Sequence, residues 1–144
     1  MSQKSNLNKQ NDMINQGLIN PQSIIVVGAS NNVHKPGGRL MRNLLDGKYE
    51  GTLYAVNAKE NDVQGIRSYP SVEDVPEADL AIIAIPAPSC PDVIDILARK
   101  KNVRAFIVVS AGFGEETPEG AVLENRILET VNEVGASLIG PNCI

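Results

Sequence analysis

Between residues 24 and 38 the chain reads Ile-Ile-Val-Val-Gly-Ala-Ser-Asn-Asn-Val-His-Lys-Pro-Gly-Gly, and this stretch holds the side chains best suited to chemistry. A β-branched run stops at Gly28, crosses a small polar loop and re-enters order at Pro36-Gly37, ahead of a helical pattern of leucines. Strand, glycine-bearing loop and helix start together make an anion site, because unpaired N–H groups and the positive helix end face one point. Lys35 adds a point charge there. Ser30 and Asn31 either complete the cradle with a hydroxyl and an amide or simply shape the turn. The loop is not the usual dinucleotide fingerprint, since Gly28 is followed by Ala29-Ser30 and not by a G-x-G-x-x-G run.

A second group closes the next apolar run, at Val56-Asn57-Ala58-Lys59, with no acid until Glu60. NAD-binding domains place Asp or Glu here, to bond the ribose 2′-hydroxyl. An ammonium suits a phosphorylated ribose instead. NADP, with its 2′-phosphate, and coenzyme A (CoA), with its 3′-phosphate, both fit; NAD does not.

The remaining reactive side chains promise little. Cys90 and Cys143 lie far apart and His34 is the sole histidine, so no metal cluster is expected. His34 has no recognisable carboxylate partner and reads as a solvated loop residue; Cys90 reads as a buried cysteine at a helix start and Cys143 as structural. Glu115, Glu116 and Glu119 read as a solvated acidic helix start. With no nucleophile–base pair, the domain is expected to bind, not to catalyse.

These residues need elements to position them. Strands are expected at Ile24–Val27, Leu53–Val56, Leu80–Ile85, Ala105–Ser110 and Ser137–Ile139. Helices are expected from about Gly38 to Asp46, from near Pro91 to Lys101, and from Thr117-Pro118 to a stop at Gly135. A long loop with Gly65 and Tyr69-Pro70 separates the second and third strands and leads into a capped turn, Ser71 to Asp74. Apolar strands alternating with helices imply an α/β fold: a Rossmann-like, doubly wound parallel sheet of about five strands, in order 3-2-1-4-5. Ligands of such sheets bind at the carboxyl ends of the strands, where Gly28–Gly38, Asn57–Lys59, Pro86–Pro88, Ser110–Gly114 and Gly140–Asn142 fall. Residues 21–144 form this domain. Residues 1–20 are expected to be a flexible segment in which Met13, Ile14, Leu18 and Ile19 could form one short helical turn.

A net charge of −4 and only five Tyr and Phe residues argue against nucleic-acid binding. No apolar run approaches ~18 residues, so no membrane partner is expected. Met1 to Asn11 lacks the apolar core of a secretory signal, which makes the cytoplasm the expected location.

Five segments carry a family resemblance in the right order: Ile-Val-Val-Gly-Ala-Ser with Lys-Pro-Gly-Gly, Tyr54-Ala-Val-Asn-Ala-Lys59, Ile85-Pro86-Ala87, Ser110-Ala-Gly-Phe113, and Gly140-Pro-Asn-Cys143. The chain resembles the N-terminal CoA-binding domain of nucleoside-diphosphate-forming acyl-CoA synthetases, the family of ADP-forming acetate–CoA ligases and the succinyl-CoA synthetase α subunit. The resemblance implies CoA as ligand. By position, Ser30, Lys35, Pro36 and Gly37 would meet the pyrophosphate region, Lys59 the phosphorylated ribose end, and Ile85, Pro86, Ser110, Ala111 and Gly112 the rest, with Gly28, Asn31 and Asn57 as further candidate contacts on the same loops. A side chain at Gly37 would then push into the phosphate-facing helix start and abolish binding without unfolding the protein.

Full-length members of that family carry a phospho-histidine domain and an ATP-grasp portion, neither of which is in this sequence. The expectation is a CoA-binding module excised from a longer acid–CoA ligase, with the remaining domains or subunits as partners. The alternatives are an NADP-binding domain of an oxidoreductase, or a stand-alone CoA-binding regulatory protein.

Overall fold

Four apolar runs make the centre of a seven-stranded sheet whose carboxyl edge carries the loops of interest. The strands are β1 (Ser23–Val27), β2 (Thr52–Val56), β3 (Asp62–Val63), β4 (Ile66–Tyr69), β5 (Leu80–Ile83), β6 (Ala105–Val108) and β7 (Ser137–Ile139). The helices are α1 (Pro36–Asp46), α2 (Cys90–Lys100) and α3 (Pro118–Val134). This computed structural model describes residues 18, 20–110, 112–113 and 117–140. Expectations placed on residues 1–17, Ile19, Ala111, Glu115, Glu116 and Pro141 to Cys143 lie outside them.

The α/β, doubly wound class is as expected, but the strand count and the place of one strand are not. The order is β3-β4-β2-β1-β5-β6-β7. Leu80–Ile83, expected outside β2, pairs with β1 in parallel, from Ile24↔Leu80 to Val27↔Ile83. The cause is β4, hidden in what reads as a loop because Arg67 and Ser68 interrupt its apolar residues. The two-residue loop Gln64-Gly65, with φ of 51° and 89°, closes a tight β3–β4 hairpin. β4 then occupies the free edge of β2 through Ala55↔Ser68 and Val56↔Tyr69, so the next strand must cross to the other side of β1. Counting parallel strands alone, the order is 3-2-1-4-5-6: the winding rule holds with one strand more than expected.

Each sheet face has its own apolar cluster. Ile25, Val27, Ala81, Ile83, Phe106 and Val108 pack under α2 and α3, against Ile94, Leu97, Ile127 and Val131. Ile24, Val26, Ala55 and Ile82 pack on the other face with Met41 of α1. Fully burying one such side chain stabilises the fold by about 1.5–3 kcal/mol. In α2, Ile94, Leu97 and Ala98 supply the i, i+3, i+4 stripe, and Arg99 and Lys100 suit its negative C-terminal end. For α3, the Thr117 hydroxyl accepts the Gly120 N–H at 2.9 Å and Gly135, at φ 71°, ends the helix in a left-handed cap.

β5 and β6 stop two residues before the expected Ile85 and Ser110. Both residues leave the ladder: Ile85 becomes a cleft wall and Ser110 lies buried below it.

Candidate functional site

At the carboxyl edge of β1, β2, β4 and β5 lies an open cleft of about 550 Å³. Its walls include Gly28, Ser30 and Lys35 from the first loop, Asn57, Ala58 and Lys59 from the second, and Ile85 and Pro86 from the third. No carboxylate among the described residues lines it. Among the described residues no ion pair engages Lys35 or Lys59. The described walls of the cleft therefore pair two lysines with no acid, an arrangement that favours anions.

The anion end is built by α1. Lys35 is its N-cap residue, no side chain caps the helix, and its first turn holds no acid. Pro36 at the first position has no N–H to offer, so Gly37 and Gly38 carry the first free donors of the turn. The loop before it is folded by its own side chains: the Ser30 hydroxyl accepts the Asn32 N–H, and the Asn32 carboxamide accepts the His34 N–H, both at 3.0 Å. His34 is exposed, as expected.

Gly37 works differently from the expectation. A Cβ there would overlap the Gly28 carbonyl group, not project into the ligand space. Gly28 itself stands at φ 88°, with its own missing Cβ against the Ala84 carbonyl oxygen. The two glycines let helix start, first loop and β5 approach one another; substituting Gly37 therefore acts on the packing of the loop, and the fold is not spared.

Asn57 sets the second end. Its Nδ2 donates to the Ala29 carbonyl at 2.9 Å, and its Oδ1 accepts the N–H of Lys59 at 2.8 Å and of Glu60 at 2.9 Å. That oxygen is occupied by both N–H groups, so the Asn57 side chain does not stand in for the carboxylate with which an NAD domain holds a ribose hydroxyl.

The other predicted residues sit around the cleft. Asn31 turns away, bonding the β3–β4 hairpin. Pro36 is exposed and Gly37 is buried behind the loop. Ser110, buried below the wall, donates its hydroxyl to the Ile85 carbonyl and so fixes the third loop. Gly112 stands beside Ala87. The sequence reading missed Pro70, Ser71, Val72 and Val93, which also line the cleft. The first three follow the unrecognised β4; Tyr69-Pro70 was their signal.

Cys90 is fully buried, with its sulfur 3.6 Å from the Pro86 carbonyl oxygen and 3.8 Å from the Ser110 hydroxyl. Burial pushes its thiol pKa up, against a smaller opposing pull from Ser110. It is held as a thiol, a poor nucleophile. Among the described residues no group of three His, Cys, Asp or Glu side chains could hold a metal ion, and no helix is long and apolar enough to cross a membrane.

Fold and cleft define a Rossmann-like domain for a phosphorylated nucleotide ligand. Residues 22–144 match the family model described as CoA binding domain, and the chain belongs to that family. It is 42% identical over 128 residues to acetate–CoA ligase (ADP-forming) I of Archaeoglobus fulgidus, covering 88% of this chain and 18% of that protein. It is 39% identical to the α subunit of acetate–CoA ligase (ADP-forming) II of Pyrococcus furiosus, over 88% of this chain and 28% of the relative. Among solved structures, the apo dinucleotide forming acetyl-coenzyme A synthetase 1 of Ca. Korarchaeum cryptofilum superposes with a TM-score of 0.80 at 34% identity, over 88% of this chain and 27% of that one. The chain thus spans well under a third of the length of these relatives, and matches the CoA-binding part of ADP-forming synthetases. CoA is the ligand that this family defines.

Proposed function

We propose that the chain serves as the CoA-binding module of an ADP-forming acyl-CoA synthetase, which as a whole converts acid, CoA and ATP into acyl-CoA, ADP and phosphate. One observation carries the assignment of residues: Lys35 and Lys59, engaged by no carboxylate among the described residues, stand on two loops of a single cleft. In this reading Gly28, Ser30, Lys35 and the start of α1 take the pyrophosphate. Lys59 takes the 3′-phosphate of the ribose. Ile85 and Pro86 flank the remainder of the ligand, with Ser110 and Gly112 behind them. Residues 21–144 act as one binding domain. The thiol chemistry and the phosphoryl transfer belong to the remaining domains or subunits, which are the proposed partners. The cytoplasm is the proposed compartment, consistent with the unpaired thiol of Cys90.

Calorimetric titration with CoA, dephospho-CoA, NADP and NAD at one fixed salt concentration tests this. CoA binding that weakens without the 3′-phosphate, with neither NADP nor NAD bound, is the expected result. NADP binding without CoA binding would replace the reading by an oxidoreductase domain.

A further inference from the structure

The β3–β4 hairpin does more than extend the sheet. Four hydrogen bonds join it to the first loop: Asn31 Nδ2 donates to the Asp62 carbonyl at 3.0 Å, the Gln64 N–H donates to Asn31 Oδ1 at 2.7 Å, and Gln64 Nε2 donates to the carbonyl oxygens of Ser30 and Gly38, each at 2.9 Å. Ser30 begins the loop and Gly38 lies in the first turn of α1. One carboxamide therefore clamps both ends of the segment that would face the pyrophosphate. Two carbonyl acceptors fix which atom of the amide is the nitrogen.

This clamp is held at a local cost. Gln64 has φ 51°, left-handed backbone that the two-residue β3–β4 turn requires and that L residues other than Asn and Asp seldom adopt. Lys48 and Asn102, the other two such residues described, directly follow helix ends, where that conformation is common. In addition Gln64 Oε1 is buried with no hydrogen-bond partner among the described residues, although a buried carbonyl is ordinarily satisfied. A buried, orphaned acceptor on an amide whose nitrogen donates to both Ser30 and Gly38 marks a geometry kept for what it positions.

We propose that Gln64 is the positioning residue of the anion loop: it holds Ser30 and Gly38 at the spacing that presents the loop and helix N–H groups to the pyrophosphate of the ligand. The proposal rests on the CoA reading above. Gln64 is not in the cleft wall, so it acts through the loop and not by touching ligand.

The test replaces Gln64 by Met, which matches its length but has no donor, in the full 144-residue chain. Backbone hydrogen exchange without ligand and titration with CoA and dephospho-CoA are the readouts. Expected are exchange about tenfold faster in the 30–39 segment, and affinities for both ligands about tenfold weaker with their ratio unchanged, because Lys59 is untouched. Gln64→Glu, which retains the length but loses the amide donors, should behave like Gln64→Met. Unchanged exchange in the loop overturns the proposal. So does collapse of the CoA to dephospho-CoA ratio, the mark of a general structural defect reaching Lys59. If the unaltered chain binds neither ligand, the CoA reading fails, and the exchange experiment alone decides whether Gln64 braces the loop.

Discussion

Asn57 donates from its side-chain nitrogen to the carbonyl oxygen of Ala29 across 2.9 Å, fastening the loop after β2 to the loop after β1. The same side chain accepts from Lys59 and Glu60, so it also shapes the turn that carries the lysine. The two cationic loops are thereby set relative to each other before any ligand arrives, which lowers the ordering cost of binding.

Replacing Asn57 by Asp keeps the oxygen that accepts the Lys59 and Glu60 N–H groups but removes the donor to Ala29 and sets a charge against its carbonyl. A loss of about 1–3 kcal/mol in folding stability is expected, together with weaker CoA binding from the added negative charge. Urea denaturation and calorimetry measure the two effects. A variant as stable as the parent would show that the Asn57–Ala29 bond is dispensable.

Lys59→Ala should cost CoA about 1.5–3 kcal/mol, or roughly ten- to hundredfold in affinity, and leave dephospho-CoA nearly unaffected. The salt dependence of CoA binding should fall as well, because one screened charge contact is gone. Equal losses for the two ligands would remove Lys59 from the 3′-phosphate.

Gly37→Ala drives a methyl group into the Gly28 carbonyl. Overpacking of this kind costs about 1–3 kcal/mol, so the denaturation midpoint should drop along with CoA affinity. Loss of binding at unchanged stability would restore the simpler picture of a side chain entering ligand space.

Cys90 predicts a pH dependence. Burial raises its folded pKa, while the unfolded thiol titrates near its ordinary value, about 8.5. Below that pH both states keep the proton and the contribution to stability is complete. As the pH rises through and beyond it, the unfolded state alone gives up the proton and stability declines. Unfolding midpoints at pH 7 and pH 9.5 should therefore diverge more for the parent than for Cys90→Ala. Alkylation of Cys90 at pH 8, followed by peptide mass, should be slow until the protein is unfolded.

The anion loop is legible in the sequence because its ingredients are local: a β-branched run ending at Gly28, a polar loop, and Pro36 opening a helix. Asn57 and Lys59 are legible because the winding rule puts strand ends at one edge. The hairpin is not, since a two-residue β3 and the mixed Ile66-Arg-Ser-Tyr of β4 lack any periodic signal; with it were lost Pro70, Ser71, Val72 and the role of Gln64. Val93 enters the cleft from α2, through packing that no local pattern records.

The sequence by itself determined the α/β class, the strand-end location of the cleft, and part of its chemical character: a lysine in each of its first two loops. These follow from residue type and short-range periodicity. Only the tertiary structure decided that Leu80–Ile83 lies beside β1, that the missing Cβ of Gly37 faces Gly28, and that Asn31 and Gln64 face each other and not the cleft. Each is a contact between segments well separated in the chain or a direction in space. Such facts arise from which strand fills which edge and from how closely backbones approach, and a linear order of residue types does not encode them one residue at a time.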